Sequence, residues 1–467
     1  MYLCLVLPNI RKKAPRAQPA NGITTMTPCP SPSRQRHALG LLLGTGLLLT
    51  CTLQPAQATT APSAGVMQGF PPAPELRVNK ANAFLPPYLR WSMTHAREVS
   101  ATRNLARART PLVLAAGQPL DLAALSFKAG DETLDLDRYL QETVTDGFIV
   151  LHHGRVVYER HLDGLGERQP HIWASMTKSV TGLLAAQFIA EGTLDPQARL
   201  ARYVPELEGT PFGESSVRAN LDMLVEVAYP ENVPPDLGLF AATGLIPRKA
   251  GMPEDIYAFL KMAQRSGDNS GAAPFFYQNG SPEALAWALR RISGKTWAEL
   301  VEERIWSRFA EEDAYVQVDA LGTEMASGGI SCNLRDTARF AELVRRELGR
   351  ETPGDSFNQA VRSLLQSGDK AAFDRGNLAP GRPGYTYRNY WFQKNDGDGS
   401  LEASGRFGQK IYINPAREVV IVKLSATPDQ ARRATSVSGE DRAGTRAIDS
   451  ATTFNNLVSA LLGQLPH

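Results

Sequence analysis

The chain has 467 residues, 43% of them hydrophobic and 21% charged, with a formal net charge of +2. That length supports one large or two intimate domains with a full core. Residues 1–58 hold six of the Lys and Arg and none of the Asp and Glu, so 44 basic residues face 48 acidic ones in the remainder, a net −4. This mild acidity gives no case for nucleic acid or an anionic membrane surface as a partner.

In chain order, Arg34, Arg36 and His37 precede an apolar run over 38–53 and the triplet Ala56-Gln57-Ala58. This is the pattern of a bacterial Sec-type signal peptide over 1–58, with Met26 as an alternative start, and it predicts a periplasmic or secreted product. The apolar run is too short for a membrane span. Thr50 before Cys51 fits a lipid-attachment box poorly, so no lipoprotein anchor is expected there. After residue 58 the only cysteine is Cys332, which excludes an intramolecular disulfide.

Residues 59–130 read as an N-terminal extension, flexible at first and then irregular with helical pieces. The main domain is expected over 131–467. It opens with strands across 148–162, followed by a helix over 175–191 on which Val180, Leu183, Leu184, Phe188 and Ile189 recur at helical spacing. An α-rich insert is expected over about 195–325, with helices at 282–293 and 296–309. An amphipathic helix capped by Asn333 spans 334–348. Strands follow at 387–394, 408–414 and 418–425, then a polar surface loop over 428–448 and a closing helix to Leu462. Strands from both ends of the domain and helices from its middle predict an α+β fold, an antiparallel sheet flanked by helices.

Ser175-Met176-Thr177-Lys178 opens the first long helix. Residues i and i+3 share a helix face, so Lys178 stacks over Ser175. The helix N-terminus aims backbone N–H groups and a positive dipole end at the serine, which favours an oxyanion and a neutral lysine amine. A second tetrad, Ser367-Gly368-Asp369-Lys370, opens no apolar helix and reads as loop. Tyr277-Gln278-Asn279 ends an apolar run just before a helix start at Ser281-Pro282-Glu283, a loop position suited to catalysis. The other Tyr-x-Asn copies, at Tyr387 and Tyr412, lack that context.

Other chemistries find little support. Only His467 follows His171, and there is no G-x-S-x-G elbow, which argues against a Ser–Asp–His triad of α/β-hydrolase order. No H-E-x-x-H or Cys/His cluster exists. His152-His153 reads as a strand-end pair and His171 as structural, so no metal or cofactor is expected.

With Ser175-x-x-Lys178 and Tyr277-x-Asn279 in order, and the blocks 147–151, 326–331 and 408–415 behind them, the chain resembles the class C β-lactamase and penicillin-recognising serine hydrolase superfamily. It is most similar to the 6-aminohexanoate-dimer (nylon oligomer) hydrolase-like members. The resemblance implies Ser175 as nucleophile, Lys178 as base or proton relay, and Tyr277 as proton donor to the leaving group. It implies oxyanion donors at the N–H groups of Ser175 and Gln409, and a pocket lined by Asn279, Arg406, Phe407 and Gly408. Arg406 stands where relatives usually keep a lysine, and Phe407 where nylon-oligomer enzymes often carry a histidine. Trp173, Tyr229, Trp391 and Phe407 are candidates for an apolar acyl pocket, each balanced against a core role.

The expected activity is hydrolysis of a small-molecule amide or ester through an acyl-Ser175 intermediate, in an oligomeric state the sequence leaves open. The alternatives are a carboxylesterase, a weak β-lactamase or D-amino peptidase and, in another class, a catalytically silent cell-wall peptide-binding protein.

Overall fold

Thr145–His152 is buried at every position, and its alternating side chains build two cores at once. Ile149 and Leu151 face one side of the sheet, with Ile411, Ile413, Val420 and Val422. On that side lie the helices Thr177–Ala190 and Leu334–Leu348. Phe148 and Val150 face the other side with Tyr412 and Ile421, against Leu140, Phe454, Leu457 and Leu461 of the helices Leu136–Glu142 and Ala451–Leu462. A strand covered on both faces needs a near-continuous apolar run, and Phe148-Ile149-Val150-Leu151 supplies it. The coordinates are a computed structural model that describes residues 65–266, 273–428 and 447–466. The expected signal peptide, Cys51 and most of the expected 428–448 loop lie outside the described residues.

The main sheet has eight strands in the order Thr386–Arg388, Trp391–Gln393, Leu401–Gly405, Gln409–Asn414, Val419–Ser425, Thr145–His152, Arg155–His161 and Ala115–Ala116. All pairings are antiparallel except the last, where Ala115–Ala116 runs parallel to its neighbour. C-terminal strands thus pair with N-terminal ones, as expected, with Val422 opposite Ile149. The expected single strand over 387–394 is instead two strands. Asn389 and Tyr390 take φ of 47° and 62° and fold the segment into a tight hairpin.

The expected N-terminal extension is less irregular than its composition implies. It supplies Ala115–Ala116 to the main sheet, Ser126–Ala129 to a small hairpin with Glu132–Asp135 of the main domain, and Thr102–Leu105 to a four-stranded sheet. That sheet continues with Ala314–Gln317, Ile330–Cys332 and His171–Ile172. These strands are two to four residues long, too short to show a period of two in the sequence.

Most helices are close to their expected bounds, but the one expected over 296–309 stops at Arg304, where Ile305 leaves the helical region and a separate 3-10 turn follows at Trp306–Arg308. Gly280–Ser293 ends on Gly294 at φ 70°, and Trp297–Arg304 carries a capping box between Thr296 and Glu299. Asn333 caps Leu334–Leu348 by accepting the Asp336 N–H. In the second Ser-x-x-Lys tetrad, Asp369 caps a short helix, Lys370–Asp374, and Lys370 is exposed and paired with Asp374.

Candidate active site

Ser175 lies in a single 3-10 turn, Ala174–Met176, that runs directly into the helix Thr177–Ala190. Ala174 has φ of 47°, a left-handed conformation costly for a non-glycine residue. The turn is held from several sides. The Trp173 amide donates to the Ile330 carbonyl at 2.9 Å, the Trp173 indole to Thr337 at 2.8 Å, and the Ile330 amide to Thr177 Oγ1 at 3.1 Å.

Lys178 is 1% exposed. Its Nζ lies 2.8 Å from Ser175 Oγ, 2.7 Å from Asn279 Oδ1 and 2.8 Å from the Ser327 carbonyl. Burial lowers its pKa to about 7, against the opposing pull of the Asp236 and Glu283 carboxylates. The neutral amine therefore has a large population near neutral pH. It has two N–H bonds and one lone pair. Two of its three neighbours are carbonyl oxygens, which can only accept. The lone pair then has one partner able to donate, the Ser175 hydroxyl, which is the arrangement a general base requires.

Tyr277 places its ring over Lys178, with Nζ 5.2 Å from the centroid. Its backbone is fixed by Asn377, whose Oδ1 accepts the Tyr277 N–H at 2.9 Å and whose Nδ2 donates to the Tyr277 carbonyl at 3.1 Å. Phe392 stacks against its ring at 6.1 Å and Tyr387 meets it edge-on at 6.2 Å. Asn279 precedes the helix Gly280–Ser293, and its Nδ2 donates to Asp236 at 2.7 Å. That bond turns Asn279 Oδ1 toward Lys178.

The structure therefore brings Ser175, Lys178, Tyr277 and Asn279 together. It arranges the third expected block differently. A side chain at Gly408 would meet Thr427, Ser425 and Lys423. The Gln409 side chain bonds the Ser425 carbonyl at 2.6 Å, and its backbone pairs with Gly405 in the ladder. The glycine that touches the nucleophile turn is Gly405, where a Cβ would fall 2.3 Å from the Trp173 carbonyl oxygen. The close approach occurs three residues earlier than Gly408 because Leu401–Gly405, not Gln409–Asn414, is the strand that ends at this turn.

Arg406 lies over the rings of Phe240 and Phe407 and reaches to 3.9 Å from Asp236. Phe407 is 5% exposed, at φ 65°, and stacks parallel on Phe84 at 5.9 Å. Trp173 and Trp391 are fully buried core residues, and Tyr229 stacks on Phe259 at 4.6 Å. His171 is buried, with Nε2 3.0 Å from Asp146 and Nδ1 3.0 Å from the Ile172 carbonyl, in a structural network completed by Arg90. Among the described residues no group of three or more His, Cys, Asp or Glu is placed to hold a metal ion, and no helix is long and apolar enough to cross a membrane.

Sequence reasoning did not find Asp236, Glu283, Ser327 or Asn377. Asp236 lies in a stretch rich in Pro and Gly, and Ser327 acts through its backbone, so neither has a motif. Glu283 had a visible signal as the acidic residue of a first helical turn, but that position also suits a surface residue.

The sequence pattern of the Beta-lactamase family matches residues 136–443. The 6-aminohexanoate-dimer hydrolase of Paenarthrobacter ureafaciens is 31% identical over 350 residues, 73% of this chain and 86% of that protein. A solved structure, "Putative 6-aminohexanoate-dimer hydrolase from Bacillus anthracis", is 29% identical with a TM-score of 0.71, covering 84% of this chain and 98% of that one. The chain belongs to the beta-lactamase family, with a beta-lactamase-like fold, and is a serine hydrolase of the 6-aminohexanoate-dimer hydrolase-like kind.

Proposed function

We propose that the chain is an exported hydrolase that cleaves a linear amide or ester through an acyl-Ser175 intermediate, with a 6-aminohexanoate oligomer as the leading substrate class. The observation that carries the chemistry is the placement of Lys178 Nζ at 2.8 Å from Ser175 Oγ with carbonyl oxygens on its other sides. The pattern over 34–58 supports export, and the likeness to the Paenarthrobacter enzyme supports the substrate class.

In acylation, Lys178 takes the Ser175 proton as Oγ attacks the carbonyl carbon, and the carbonyl π electrons move to the oxygen. The N–H of Ser175 is one donor to that oxyanion. The approach of Gly405 to the nucleophile turn supports the following residue, Arg406, as the second donor in place of Gln409. Each such donor is worth roughly 3–4 kcal/mol. As the tetrahedral intermediate collapses, Tyr277 protonates the departing nitrogen or oxygen and the acyl group stays on Ser175. Water then attacks the ester carbonyl, giving its proton to the Tyr277 phenolate left by the first step, and Ser175 leaves as the Lys178 ammonium returns its proton to Oγ.

Intact-mass analysis with a fluorophosphonate, a penicillin and a p-nitrophenyl ester, beside Ser175→Ala, tests the reading. A single adduct lost in the variant is the expected result, and the reagent that also turns over defines the acyl preference. No adduct from any of the three would leave the peptide-binding alternative as the better account.

A further inference from the structure

Glu283 is a carboxylate at 0% exposure that the chemistry above does not use. It lies one turn into the helix Gly280–Ser293, and its two oxygens grip consecutive backbone amides. Oε2 accepts the Ala326 N–H at 3.1 Å and Oε1 the Ser327 N–H at 2.8 Å. The same short segment has a second tether, Thr181 Oγ1 donating to the Ala326 carbonyl at 2.8 Å. The next carbonyl along, that of Ser327, accepts from Lys178. Burying a carboxylate is costly unless it is well bonded, and two amide donors satisfy both its oxygens.

Resting on the acyl-serine reading, we infer that Glu283 is a positioning residue for Lys178. By holding the amides of Ala326 and Ser327 it fixes the Ser327 carbonyl. That carbonyl and Asn279 Oδ1 then occupy both N–H bonds of the neutral amine, so the lone pair points at Ser175. Without the strut the segment can shift, and a displacement of about 1 Å at the base is enough to lose much of the rate. Glu283 also sets the charge around the base. The charged and titratable groups near Lys178 and Glu283 are Asp236 on Pro235–Ala242, Arg290 on the same helix as Glu283, Tyr277 in the loop before that helix, and Tyr390 from the sheet hairpin.

The test follows the rate of fluorophosphonate labelling at Ser175 by intact mass, from about pH 5 to about pH 9, for the wild type, Glu283→Gln and Thr181→Val. Both variants are expected to label roughly 10- to 100-fold more slowly. Glu283→Gln also removes a negative charge that favours the ammonium, so its acid limb moves to lower pH. Thr181→Val leaves the charge unchanged and keeps the wild-type limb. A folded Glu283→Gln protein with the wild-type limb would mean the residue only packs, and the inference fails. If Glu283→Gln does not fold, Thr181→Val decides, and wild-type labelling in it overturns the inference. A wild-type protein that takes no label at Ser175 removes the acyl-serine reading itself, an outcome distinct from either variant result.

Discussion

Ser175 in its 3-10 turn and Lys178 in the first turn of the following helix are three residues apart, yet what favours a neutral amine on the lysine comes from elsewhere in the chain. Asn279 and Ser327 supply the carbonyl oxygens and the surrounding core supplies the desolvation. With Lys178 lowered to about 7, the base is protonated below that pH and free above it. kcat/KM on a p-nitrophenyl ester is therefore expected to rise as pH increases through about 7 and then level off. An acid limb near the ordinary lysine value would contradict the assignment. Asp236 favours the ammonium, so Asp236→Asn is expected to shift that limb to lower pH. Ser175→Ala is expected to abolish turnover with the thermal transition unchanged, and wild-type rates in that variant would eliminate the serine as nucleophile. Ser175, Lys178, Tyr277 and Asn279, which the structure brings together, were legible in the sequence because spacing and order single them out. Asp236, Asn377 and the Ser327 carbonyl were not, since contacts between distant segments have no local signature.

At the scale of elements, two close backbone approaches frame the segment that carries Ser175 and Lys178. The hairpin turn at Asn389 sits where a Cβ on Gly182 would fall 2.0 Å from its carbonyl, so the nucleophile helix packs directly on backbone. Gly405 does the same for the strand end facing Trp173. Gly405→Ala is expected to push that strand from the nucleophile turn, lowering kcat by roughly 100-fold with a smaller effect on KM. Gly408→Ala, directed toward Ser425 and Thr427, should instead act mainly on stability. Steady-state kinetics and melting curves on the pair would separate the two, and the reverse pattern would restore Gly408 and Gln409 to the oxyanion site. The long helices were readable from caps and periodicity, with Asn333 and Thr296 marking starts that the structure reproduces. The third block shows the limit of that reading. Gly405-Arg406-Phe407-Gly408 contains two glycines, and only the strand's end point says which of them lies against the Trp173 carbonyl.

Over the whole molecule, the sheet joins residues from opposite ends of the described chain, and segments far apart in sequence meet beside Arg406 and Phe407. Phe84 from the N-terminal segment stacks on Phe407 and lies 6.4 Å from Phe240 of the helix Pro235–Ala242. These contacts tie the N-terminal segment and the helix Pro235–Ala242 to the residues beside the Ser175 turn. Far-UV circular dichroism and hydrolytic activity are expected to be lost in one coincident transition on heating. Activity lost well before secondary structure would show that the N-terminal segment or the insert opens separately. The expected extension at 59–130 understated this integration, because strands of two to four residues give no period for a sequence to display.

The pairing of Thr145–His152 with Val419–Ser425 also has a consequence for biogenesis. The first strand is synthesised early, apolar on both faces, and waits for a partner that leaves the ribosome after almost the whole domain. Such long-range closure slows folding and leaves a sticky edge open in the meantime. Refolding from denaturant should accordingly be slow, with a yield that falls as protein concentration rises and recovers when a holdase chaperone shields the nascent strand.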